Sequence, residues 1–260
     1  MAMRRRAGRV AGGLVAVALC LAAGACAPGG AGAGRGSPRP GITDGILAVP
    51  SPAPASVAAA SSGHEPAGSP AASPSEMVLR SGELKGYVIA PLRYEEAGGT
   101  ERSDTPSCAP LADLVNLAPE PAPAASVLRT AVDASRAGRD DQTVVTLLLA
   151  AYADDGAASL LDRVRRAVDV CAGGFGTRGD DGPAAYFAVT ALPAPRVGQD
   201  ALAFRMVCDR DGHRSPLVFT VVRGAGAVVV FSAANYLDGE VPEIPPALVT
   251  AQAGKLPPAP

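Results

Sequence analysis

Between Asp154 and Phe175 the apolar residues recur at three- and four-residue spacing, as Ala157, Leu160, Leu161, Val164, Val168 and Cys171. Asp162, Arg163, Arg165, Arg166 and Asp169 fall between them. That period puts one apolar stripe along a helix and the charges on its other face. Asp154 or Asp155 can cap its start, and Gly173–Gly174 can end it. Elsewhere the texture changes. ASVLRTAVDAS and QTVVTLLLAAY flank the turn-forming AGRDD, which predicts a β-hairpin. AAYFAVTAL, DALAFRMVC, PLVFTVVR and AVVVFSAAN are short apolar runs, with DRDGHRS and GAG separating the last three, and they predict a meander of strands. MVLRSGELKGYVIAPLRY reads as an extended entry with a short turn. Two lesser helices complete the reading. One is PSCAPLADLVNL, with Ser107 available as a cap and Pro110 in the first turn; the other is PPALVTAQAGKL, opening at Pro245–Pro246. The long helix needs a broad apolar surface to pack on, and a sheet supplies one. The order predicts an α+β domain: a mainly antiparallel sheet with helices packed on one face.

Before residue 77 the pattern stops. From Ala27 to Glu76 there is no Phe, Tyr or Trp, and Ala, Gly, Ser and Pro dominate APGGAGAGRGSPRPG and SPAPASVAAASSGHEPAGSPAASPSE. Such a segment buries too little apolar surface to offset its ordering entropy, so residues 26–76 are expected to be a disordered tether and residues 77–260 a single folded domain. A tether of about 50 residues reaches on the order of 35–42 Å. The folded part carries 17 basic against 22 acidic residues, with no basic stripe. That balance argues against nucleic acid and against electrostatic docking on anionic lipid.

The first residues have their own pattern. Arg4, Arg5, Arg6 and Arg9 precede GGLVAVALCLAAGA, an apolar stretch too short to span a bilayer and suited to a secretory signal. Ala23, Gly24 and Ala25 then lead directly into Cys26, whereas Cys20 follows the bulky Leu19. The small residues followed by cysteine resemble a bacterial lipoprotein signal, with Ala23 standing where that signal favours Leu. The resemblance implies removal of residues 1–25 and lipidation of Cys26, with palmitate among the acyl chains. The protein would then sit on the extracytoplasmic face of the cell membrane. Each buried methylene contributes about 0.8 kcal/mol, and more than one chain gives stable anchoring. Export would leave Cys108, Cys171 and Cys208 in an oxidising compartment, where three cysteines make one disulfide and one free thiol.

Candidate chemistry is sparse. Beyond residue 76 the one histidine is His213, in CDRDGHRS, where Cys208, Asp209 and Asp211 give a superficial metal-like cluster. Asp-Gly between two strands is a hairpin signal, and mixed soft and hard ligands on a turn specify no metal. DRDG also lacks the further acidic ligands of a calcium loop. There is no G-x-S-x-G elbow for a hydrolase. The pairs Asp140–Asp141, Asp154–Asp155 and Asp180–Asp181 adjoin glycines or turns and read as solvated or capping acids. GFGTRGDDG follows a helix and does not open one, so it is no phosphate cradle. No catalytic residue, metal or cofactor is expected.

SCAPLADL, the strand pair, AASLLDRVRRAVDVC, LPAPRVGQDALAFRM and VVRGAGAVVVF together resemble the PknH-like extracellular sensor domain, over most of residues 77 to 250. The carrying motifs are C-x-P-L, a long helix ending in Cys, and V-G-x-[DE]-A at Val197, Gly198, Asp200 and Ala201. The resemblance implies a disulfide between Cys108 and Cys171, leaving Cys208 as a thiol. The cysteines for the second bridge of some members are absent here. It also implies a non-enzymatic ligand-binding or sensor role; the sequence holds no kinase domain, so signalling would need a protein partner. The ligand, a small molecule or a cell-envelope component, is expected in a groove on the uncovered face of the sheet, with Arg205 and Arg223 supplying positive charge. The simpler role for both arginines is a solvated face. A cell-envelope interaction scaffold, or a hydrolase built on His213, are the alternatives.

Overall fold

The computed structural model describes residues 73–135, 143–235 and 240–258. The signal segment, Cys26, nearly all of the expected tether and the AGRDD turn lie outside these residues. The strands are β1 (Tyr87–Leu92), β2 (Arg102–Ser103), β3 (Ala125–Asp133), β4 (Val144–Ala151), β5 (Phe175–Gly179), β6 (Gly182–Leu192), β7 (Asp200–Arg210), β8 (His213–Gly224) and β9 (Ala227–Ala234). The helices are α1 (Pro74–Met77), α2 (Tyr94–Ala97), α3 (Ala109–Val115), α4 (Gly156–Val170) and α5 (Pro246–Ala253), with a 3-10 turn at Pro106–Cys108. No helix among the described residues is long and apolar enough to cross a membrane.

The strands form one sheet in the order β1-β3-β4-β9-β8-β7-β6-β5-β2, every neighbouring pair antiparallel. β3 pairs β4, and β6 to β9 form the expected meander. The last strand closes onto β4, so β9 joins the two halves of the sheet. The long helix is α4; Asp155 stands at its N-cap without a side-chain cap bond, and it ends at Cys171. Gly174 has φ +92°, and a Cβ there would lie 2.6 Å from the Tyr186 carbonyl oxygen, so glycine is required where the chain turns into β5. Ser107 is not a cap. It sits inside the 3-10 turn, and Cys108 occupies the N-cap of α3.

Helices cover both faces of the sheet, not one. On the first face α3 and α4 pack Leu111, Leu114, Leu160, Leu161 and Val164 onto Leu148, Phe204, Phe219, Val221, Val228 and Val230. On the second, α1, α5 and their flanks bring Met77, Val78, Leu79, Ile244, Leu248 and Val249 onto Leu147, Leu149, Val218, Val222, Val229 and Phe231. Consecutive residues of β4, β8 and β9 therefore enter opposite cores, which is why these strands are apolar runs with no alternation. The described fold also begins at Ser73, ahead of the expected boundary at residue 77. The Ser73 N–H donates to the Glu76 carboxylate at 2.9 Å, starting α1. Gln252, fully buried on α5, accepts from the Leu79 N–H at 2.8 Å and donates to the Met77 carbonyl at 2.9 Å. That bidentate strap ties the entry segment to the last helix.

Candidate functional site

Among the described residues the second face is incompletely covered. α4 has fifteen residues, about 22 Å at 1.5 Å per residue, whereas α5 has eight, about 12 Å. α5 lies over β9, and the β6–β8 side of that face is left open beside it. There the cross-strand pair Ala203↔Thr220 forms a floor of two small side chains. Pro193 walls it on one side and Ile244 on the other, and both belong to each of two adjoining depressions of about 290 and 410 Å³. The first runs out past Arg205, Val218, Val241 and Glu243; the second runs past Arg196, Val197 and the Val249–Thr250 turn of α5. The result is one continuous apolar groove, since the two share their floor and walls. Its larger part has the size of a small-molecule site.

The two arginines expected together are on opposite faces. Arg205 pairs with Val218, a second-face residue, and stands at one end of the groove. It is exposed, and its guanidinium makes no hydrogen bond or ion pair with the described residues. Arg223 pairs with Asp200 and Val228 on the first face, where it donates to Gln199 Oε1 at 2.9 Å. Asp200 is in turn engaged by Arg165 of α4 at 3.0 Å. Arg223 thus lies on the α4 side of the sheet, and it is not among the residues lining the groove. Arg196, on the loop before β7, takes its place at the far end of the groove.

Cys108 and Cys171 are joined, with Cα atoms 5.9 Å apart, and the bond pins the N-cap of α3 to the end of α4. Cys208 is a free thiol, half-buried on β7 opposite Tyr186. Burial pushes its thiol pKa up, away from the reactive thiolate. His213 is exposed in the β7–β8 hairpin opposite Arg210, and Asp209 is spent on the turn, accepting from Gly212 N–H at 3.0 Å and Arg214 Nε at 3.1 Å. Among the described residues no three His, Cys, Asp or Glu side chains converge into a metal-ligand group.

One cluster was not anticipated. Glu101, only 8% exposed just before β2, accepts from Thr177 Oγ1 at 2.6 Å, from the Tyr186 hydroxyl at 2.7 Å and from Arg210. Asn116 holds its backbone, accepting from the Glu101 N–H at 3.0 Å and donating to its carbonyl at 2.7 Å. Burial raises the Tyr186 pKa far above that of an exposed phenol, and the neighbouring Cys208 and Glu101 add to the effect, so the hydroxyl stays a donor. The donors converge on one carboxylate and fasten β2 to β5, β6 and β7. These partners lie 76, 85 and 109 residues from Glu101, and no local pattern in the sequence marks them.

No family model matches the chain, and no curated protein matches it. Among solved structures it is similar to the extracellular domain of PknH from Mycobacterium tuberculosis, at 11% sequence identity and a TM-score of 0.39, over 65% of this chain and 79% of that one.

Proposed function

We propose that this protein is a lipid-anchored extracytoplasmic lipoprotein whose folded domain binds a ligand without transforming it. The observation that carries the binding role is the groove on the second face: a preformed depression with a small-residue floor, mainly apolar walls and few ionisable groups. The Cys108–Cys171 disulfide accords with the oxidising compartment that an export signal implies. Native mass spectrometry of the protein purified from its own host tests the reading. A co-purifying mass that disappears in Ala203→Leu, which fills the floor, supports it; a ligand retained by that variant places binding elsewhere. Anchoring is tested separately. Cys26→Ala should move the protein out of the membrane fraction or leave the signal uncleaved, and unchanged size and partitioning would remove the lipid from the account.

A further inference from the structure

The groove has two chemically different ends, and resting on the binding role above, that difference specifies a ligand class. At one end Arg205 shares its depression with Glu243, so charges of both signs face the opening. At the other, Arg196 is the sole ionisable side chain among the described residues lining the depression, and that side chain has no hydrogen bond or ion pair with the described residues. Between them lie Ala203, Thr220, Pro193 and Ile244, with no charge. We propose that the groove takes a single-chain amphiphile with an anionic head, the head held by Arg196 and the apolar tail laid over the Ala203–Thr220 floor toward Val218.

An arginine facing an apolar trough recognises a carboxylate or phosphate head through paired N–H donors while the trough removes the tail from water. A neutral head would forgo the charge-assisted bonds, and a cationic head would meet Arg196 with the same sign. The occupant is a free amphiphile and not the surface of a bilayer. The domain as a whole carries 17 basic against 22 acidic residues and is repelled by an anionic membrane. A depression of about 410 Å³ suits one chain rather than a lipid sheet.

The test uses the chain from residue 26 onward carrying Cys26→Ala, titrated calorimetrically with dodecanoate, dodecanol and dodecyltrimethylammonium below their aggregation concentrations. Dodecanoate should bind at least tenfold more tightly than either of the others. Arg196→Gln should erase that preference while leaving dodecanol binding unchanged, and Ala203→Leu should abolish binding of every probe with unaltered circular dichroism. Equal affinity for dodecanoate and dodecanol, or no dodecanoate binding, overturns the anionic amphiphile. The groove itself stands or falls on the host-derived mass in Ala203→Leu. A fourth arm floats the same chain with phosphatidylglycerol vesicles: flotation lost in Arg196→Gln would assign this surface to a membrane and overturn the free ligand.

Discussion

The two faces of this sheet use polar residues in different ways. The first face is closed by a fifteen-residue helix and a disulfide, and its charged side chains named above are paired: Glu101, buried, with Thr177, Tyr186 and Arg210, and, nearer the solvent, Asp200 with Arg165 and Arg223 with Gln199. The second is covered by shorter helices, and the uncovered strip carries Arg196 and Arg205 without partners among the described residues. A charged group shut away from water must be paired, while one beside an open trough can wait for a ligand. The closed face therefore sets stability and the half-open face is available for binding. Variants on the first should move unfolding and leave binding alone; variants in the groove should do the reverse.

The largest effect is expected at the disulfide. Cys108 and Cys171 are 63 residues apart, and for a loop of that length the chain-entropy model gives about 4 kcal/mol. The double variant Cys108→Ser/Cys171→Ser should lower the urea midpoint accordingly. Peptide mapping without reductant should recover this pair and leave Cys208 alkylatable after unfolding. A bridge from Cys171 to Cys208 would break the division of labour, since β7 and not α3 would then anchor the helix.

Glu101→Ala comes next. Breaking a buried, hydrogen-bonded charge pair costs about 3–5 kcal/mol, and the lower end applies because the Arg210 side chain is 28% exposed and keeps Asp181 at 3.3 Å. The loss should appear in denaturant unfolding with dodecanoate affinity unchanged. Lost binding in a folded Glu101→Ala protein would show that the faces are coupled.

Much of this architecture was legible in the chain. The stripe of α4 obeys the helical period, and the four late runs are short, apolar and mostly bounded by turn residues, which specifies strands. Coverage of the second face is written in the same residues: VVTLLLAA and AVVVF do not alternate, and a strand without alternation is buried on both sides. The faces of the two arginines were also recoverable. The Asp211–Gly212 turn pairs Arg210 with His213, and counting back from that pair sets Arg205 against Val218 and Arg223 against Asp200. Glu101 was not recoverable. Its stretch, AGGTERS, is polar and turn-like, and only the completed sheet makes it a buried centre.

Gln252 offers a test on the second face away from the groove. Gln252→Ala leaves the Leu79 N–H and the Met77 carbonyl without partners in a buried site, at a cost of about 2 kcal/mol. Hydrogen exchange should show faster exchange at the Leu79 amide before the rest of the sheet. Uniform acceleration would mean that the entry segment and α5 unfold only with the whole domain. On the first face one change should help. The Tyr152 hydroxyl oxygen is buried with no hydrogen-bond partner among the described residues, so Tyr152→Phe should gain about 1 kcal/mol in thermal unfolding, and a loss would reveal a bound water there.

The smallest effect on stability is the most informative about the comparison. Arg205→Gln on β7 and Arg223→Gln on β8 remove the same charge, and residue type alone does not tell them apart. The sheet does. Arg205 is exposed and unpaired with the described residues, so its loss should change stability by no more than about 0.5 kcal/mol. Arg223 bonds Gln199, a partly solvated contact of the same small order. Ligand response should separate them. Arg205 stands at the groove end that also carries Glu243, so its removal should leave dodecanoate affinity weakened by a few-fold at most, well short of the Arg196→Gln effect. Arg223 lies behind the sheet, and its removal should leave the affinity unchanged. Equal weakening by Arg205→Gln and Arg223→Gln would mean that binding senses the net charge of the domain, because a contact made in the groove cannot reach both faces of one sheet.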